Sequence, residues 1–168
     1  MAPWKARTEY KLVVAEDGAT VLHARADRSA SGLVTAVDVD PAKWPIVSWR
    51  WRVTEIVKGA DNTRRATEDA AARVILEFDG NEGGDTDLAS ATRFMRLLAD
   101  PTTPHRVLMY VWSSSNPMAS ILTGPLSDHI RMVVVSTGSA DLGQWQAHTR
   151  DYRTDYLRAF GRPPGRLA

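Results

Sequence analysis

Apolar and polar residues alternate over residues 46–53. Val47, Trp49, Trp51 and Val53 fall on one side of an extended chain, and Ser48, Arg50 and Arg52 fall on the other. A period of two is the signature of a half-buried β-strand. The same reading predicts strands over 10–15 and 20–26, joined by a turn at Glu16-Asp17-Gly18-Ala19. It predicts further strands over 33–39, 73–78, 107–113, 130–136 and 145–150. The strand over 130–136 is mostly apolar, with Met132 to Val135 unbroken, as in a central strand covered on both faces. The period becomes helical twice. Leu88, Ala91, Met95 and Leu98 predict a helix over 88–98 capped by Asp87. Tyr152, Tyr156 and Phe160 predict a second over 152–160, closed by Gly161 and Pro163-Pro164. Residues 55–68 and 114–127 read as loops. Short strands between turns, with two short helices, predict a mainly β fold: a jelly-roll-like antiparallel β-sandwich forming a single domain over residues 1–168.

Composition excludes some function classes. A chain of 168 residues can bury one sizeable core. A formal net charge of +1 supplies no bulk attraction to nucleic acid, so no such partner is expected. The absence of cysteine excludes disulfides and thiolate chemistry. No apolar run is long enough to span a bilayer, so no membrane insertion is expected. Met1-Ala2-Pro3-Trp4 lacks a charged and then apolar leader, so an export signal, had there been one, was trimmed. Oligomeric state is not readable from these features.

Five strings occur in order: WRWRV (49–53), EDAAARVILEFDG (68–80), LMYVWSSSNP (108–117), DHIRMVVVSTG (128–138) and LGQWQAHTRDYRTDYLRAFGRPP (142–164). Together they resemble the bacterial family known as domain of unknown function 3047, over residues 10–164. The resemblance implies a compact, mostly β domain of exported, periplasmic or secreted proteins. It implies no reaction and carries over no functional residue. Against the family pattern, residues 88–98 and their glycine-rich approach read as an insertion.

The arginines carry the candidate chemistry. Arg50 and Arg52 share a strand face, Arg73 heads the strand 73–78, and Arg131 stands near the start of 130–136. On neighbouring strands they would make a concave cationic floor. Guanidinium grips carboxylate or phosphate through two parallel hydrogen bonds, which suits acidic sugars. The simpler alternative is a solvated face neutralised by Glu55, Asp69 or Glu77. Among the tryptophans, Trp49 and Trp51 share their face with valines and read as core. Trp112 enters the polar loop at Ser113 and is the stacking candidate, with Trp145 a further aromatic. Asn116 and Asp69 would orient ligand hydroxyls, although Asp69 also suits a plain structural partner for Arg73. The expected ligand site is therefore Arg50, Arg52, Asp69, Arg73, Trp112, Asn116 and Arg131, on a non-catalytic module binding a saccharide, acidic or neutral.

The alternative is a hydrolase- or lyase-type enzyme in the same groove, with Glu77, Asp69 or His129 as acid or base. No catalytic residue is assigned. There is no GxSxG elbow to make Ser113, Ser114 or Ser115 a nucleophile. Phosphate loops and dinucleotide fingerprints are also missing. A third reading is a structural domain of a larger envelope assembly. No cofactor is expected. Calcium at Asp79 to Asp87 is the weaker alternative, since Gly83 and Ser90 occupy positions where an EF-hand needs oxygen ligands. His23, His105, His129 and His148 show no zinc spacing.

Overall fold

The computed structural model of the protein describes residues 7–29, 31–79 and 105–168. The expected helix over 88–98 and the acidic loop after Asp79 lie outside them. The chain forms two compact units, Met1–Thr35 and Ala36–Ala168.

The first unit contains an antiparallel hairpin of β1 (Glu9–Val14) and β2 (Thr20–Arg25), with Leu12 opposite Leu22. Its turn lies where the sequence places it. Gly18 adopts φ 80°, a region open to glycine, and its N–H donates to the Ala15 carbonyl.

The second unit comprises β3 (Ile46–Trp51), β4 (Ala72–Phe78), β5 (Arg106–Ser113), β6 (Ile121–Thr123), β7 (Ile130–Thr137), β8 (Gln146–Asp151) and one described helix, α1 (Tyr152–Phe160). Four strands form a sheet in the order β4-β5-β7-β6, and β3 pairs with β8 in a separate antiparallel ribbon. β4 runs antiparallel to β5, and β6 antiparallel to β7. β5 and β7 are parallel, so the sheet is mixed and not wholly antiparallel as expected. Both are near-continuous apolar runs buried on both faces, as interior parallel strands require.

Two other expectations change. Residues 33–39 form no strand; Val39 makes a single antiparallel bridge to Leu167, and Leu33 and Val34 are exposed. Within the expected loop 114–127, three residues pair with β7 as β6. Gly124, just after β6, is required by close approach, since a Cβ there would lie 2.7 Å from the Ile130 Cβ.

The β3–β8 ribbon and α1 pack on one face of the sheet. Trp49 stacks on Tyr110 at 5.0 Å between ring centres, Trp51 meets Trp112 at 6.2 Å, and Tyr156 meets Phe78 edge-on at 4.8 Å. Burying each such ring contributes about 3 kcal/mol before conformational entropy is counted. A register shift between Val111 and Trp112 sets Trp112 opposite Ser136. The Ser136 hydroxyl there lies 3.3 Å from Nε2 of His148, which is flanked by Trp49 and Trp51. The opposite sheet face holds Val107, Met109, Val111, Ile130, Met132 and Val134. Among the described residues, no helix is long and apolar enough to cross a membrane.

Candidate functional site

The loop between β3 and β4 folds back on the end of β5 through a buried polar network. Asn62 and Ser113 are both fully buried, so their polar atoms need partners inside the protein. The Ser113 hydroxyl donates to Asn62 Oδ1 at 2.8 Å, and its oxygen accepts the Asn116 N–H at 3.1 Å. Asn62 Nδ2 donates to the Asp69 carbonyl at 2.9 Å, and the Asn62 backbone N–H donates to Asn116 Oδ1 at 3.1 Å. Thr137 closes the circuit by donating its hydroxyl to the Asn116 carbonyl at 2.7 Å. Beside this network Arg73 pairs with Glu68 at 2.9 Å and with Asp69 at 3.2 Å. Asp69 also accepts its neighbour Ala70's N–H, so its carboxylate anchors Arg73 and the start of β4.

In front of the network lies an open hollow of about 340 Å³. Ile56, Val57 and Ala60 give it apolar surface, while Asp61, Arg64, Thr67, Ser114 and Ser115 give it polar groups. The serines are held in place: Ser114 donates to the Val57 carbonyl at 2.8 Å and Ser115 to the Ala60 carbonyl at 3.1 Å. Asp61 accepts from the Thr63 hydroxyl at 2.7 Å and the Thr63 N–H at 2.9 Å, and Arg64 lies 3.2 Å from its other oxygen. The Thr63 bonds, with Asn116 and Arg64 adding to them, hold the Asp61 carboxyl below the ordinary range. It is therefore ionised at neutral pH, an acceptor and not a proton donor. Among the described residues no cluster of His, Asp or Glu is suited to holding a metal ion.

The family described as a protein of unknown function (DUF3047) matches residues 2–168. The chain belongs to DUF3047. Comparisons of this DUF3047 member with curated proteins and with solved structures found no match. Three of the five strings that carry the resemblance meet at the network, through Glu68 and Asp69, Ser113 and Asn116, and Thr137.

Of the seven residues expected at the site, the DUF3047 fold gathers Asp69, Arg73 and Asn116 around this network. It does not bring the four arginines together. Arg73 lies across from Val111, on the sheet face away from the ribbon. Arg131 lies across from Leu108, on the face that α1 covers, where its guanidinium sits 5.2 Å from the Phe160 ring and donates to the Ala159 carbonyl at 3.2 Å. Arg50 and Arg52 project from the ribbon away from the sheet, 4.6 and 5.3 Å from the centre of the Trp145 ring. Trp112 is not a stacking platform. It is fully buried, with Nε1 donating to the Gly138 carbonyl at 3.0 Å.

Of the candidate acids and bases, Glu77 lies across from Val107 and His129 lies by the same start of β5, with Nδ1 2.8 Å from Arg106, whereas Asp69 lies just before β4, beside the other end of β5. Sequence reasoning missed Asn62, Asp61 and Arg64, all within a segment read as plain loop. Asp61-Asn62-Thr63 was a usable signal, because an Asp bonding two residues onward is a standard turn device.

Proposed function

We propose that this chain is a non-catalytic binding module whose hollow takes a saccharide. The observation that supports it is the lining: fixed hydroxyls, one ionised acceptor and one guanidinium beside an apolar floor. A sugar presents C–H faces and hydroxyls in that combination, and small-molecule sites pair apolar walls with a few placed polar groups. The volume of about 340 Å³ leaves room for a mono- or disaccharide. Asp61 would accept from sugar hydroxyls, and Arg64 would take the carboxylate of an acidic sugar through a planar fork. The depressed Asp61 carboxyl suits a hydrogen-bond acceptor and not a general acid, which needs a pKa near the working pH.

The proposal extends to architecture and location. The ribbon laid on the sheet supports a two-layer sandwich, although the parallel β5–β7 pair departs from an all-antiparallel jelly roll. The family resemblance supports an exported protein.

Titration calorimetry against neutral and acidic mono- and disaccharides tests the binding. Ser115→Trp, which fills the hollow, should weaken binding about tenfold or more at unchanged melting temperature. Arg64→Gln should weaken acidic sugars alone. Absence of heat with both sugar classes refutes the proposal.

A further inference from the structure

We propose that Trp44 is the stacking platform of a second saccharide site, which takes one flat pyranose of a neutral glycan chain on its exposed ring. Trp44 is 70% exposed, and among the described residues it is the one tryptophan left outside. An indole of this size stabilises a fold most when buried. Here the backbone beneath it is fixed while the ring stays uncovered. The Asp40 carbonyl accepts the N–H groups of Lys43 and Trp44, each at 3.0 Å, and Asp40 Oδ1 accepts the Ala42 N–H at 2.9 Å. The Trp44 carbonyl accepts the hydroxyl of Tyr152, a buried residue at the start of α1. The Tyr152 N–H donates to the next carbonyl, that of Pro45, at 2.9 Å. Pro45 also restricts Trp44 to extended backbone angles. The ring therefore stands on a fixed turn, with only two side-chain torsions left to order on binding.

A pyranose with equatorial hydroxyls has a flat face of C–H groups and a rim of hydroxyls. The C–H face matches an indole. The rim needs acceptors and donors beside the ring, and the same turn carries both. Lys43 is largely exposed and Asp40 partly so, and Asp40 Oδ2 lies 3.9 Å from Lys43 Nζ, longer than a hydrogen bond. A sugar hydroxyl placed between them would accept from Lys43 and donate to Asp40.

Charge and area narrow the choice of ligand. Lys43 is matched by Asp40, and Arg153 by Asp151, which stands opposite Ile46 at the start of β3. A corner balanced in this way exerts little pull on an anionic membrane or a phosphate backbone. Trp44 and the half-exposed Ile46 together offer far less than the roughly 800 Å² per partner of a stable protein interface. One sugar ring needs only a platform of this size. The saccharide class rests on the reading of the hollow, but the platform itself does not. Trp44 precedes β3 and the hollow's Ile56 and Val57 follow it, so the six residues of β3, about 17 Å of extended chain, lie between the two sites.

Calorimetry with cellohexaose, a neutral chain of such rings, tests the proposal. Trp44→Ala should weaken binding about tenfold, Trp44→Tyr at most about threefold, and Asp40→Asn, which keeps the Ala42 bond, about threefold, with melting temperatures unchanged. Saturating cellohexaose should shield tryptophan emission from acrylamide in the wild type and not in Trp44→Ala. Ser115→Trp should leave cellohexaose binding intact. Absence of binding, or binding and shielding indifferent to Trp44→Ala, overturns the site. Loss with Ser115→Trp instead assigns the ligand to the hollow and equally overturns it. Phosphatidylglycerol vesicles that capture the wild type and not Trp44→Ala overturn the choice of glycan. A disaccharide bound in the hollow while cellohexaose fails sinks this second site alone.

Discussion

Asp155, on the inner side of α1, has both carboxylate oxygens engaged. Oδ2 accepts from the Tyr110 hydroxyl and from Arg150 Nε, each at 2.9 Å, and Oδ1 from Arg150 Nη2 at 2.6 Å. The acid is almost wholly buried and Arg150 about two-thirds buried. Burial and the neighbouring Asp155 charge push the Tyr110 hydroxyl far up, so it stays a protonated donor at any ordinary pH. Removing one partner of a buried pair strands the other. Asp155→Ala should therefore cost about 3–5 kcal/mol, whereas Tyr110→Phe, which leaves both Arg150 bonds, should cost about 1 kcal/mol. Urea unfolding measures both, and equal losses would contradict this division. The exposed Asp69 contrasts with it: its pair with Arg73 contributes at most about 1 kcal/mol. In the sequence Asp155 reads as one charge on an amphipathic helix. The signal against that reading was its position, three residues after Tyr152 and one before Tyr156, both of them buried.

At the scale of elements, α1 was legible to the residue because its ends are chemical. Asp151 ends β8 and also caps the helix, accepting from the Thr154 N–H and hydroxyl at 2.9 Å each, and Gly161 closes it at φ 71°. These bonds depress the Asp151 carboxyl. Its folded pKa lies below the unfolded value of about 3.9, so its contribution is present above that pH and fades as pH falls below it. Asp151→Ala should lower stability by about 1 kcal/mol at neutral pH, and Asp151→Ser should restore most of it. Thermal melts of the three proteins check the order; an Asp151→Ser variant no better than Asp151→Ala would refute the capping role. β6 was illegible, since three residues are too few to show a period. The stretch 33–39 misled because local apolar content says nothing about whether a neighbouring strand exists to pair with.

For the whole molecule, His148 couples pH to the joint between ribbon and sheet. Burial first, and then the Arg150 charge, lower its pKa below the ordinary value of about 6.5. The unfolded chain takes up its proton first on acidification. The fold therefore keeps this contribution above about pH 6.5 and loses it as pH falls from there through the lower folded value. The ring has Trp49 and Trp51 on its flanks, Ser136 at Nε2 and Arg150 nearby, so a proton there is poorly accommodated. Urea midpoints should fall between about pH 7.5 and 5, and fall less in His148→Gln; identical profiles would remove His148 as the cause.

The sequence by itself determined what each segment knows about itself. Alternation fixed which residues of β3 share a side, Gly18 fixed the hairpin turn, the apolar character of β7 marked it as interior, and ordered strings gave the family. Only the tertiary structure decided which sides share a space. Facing is a relation between strands, and one step of register reverses it. Arg73 and Arg131 therefore lie on opposite faces of one sheet, Trp112 is sealed beneath the ribbon, and a hollow forms where two polar loops meet over Asn62.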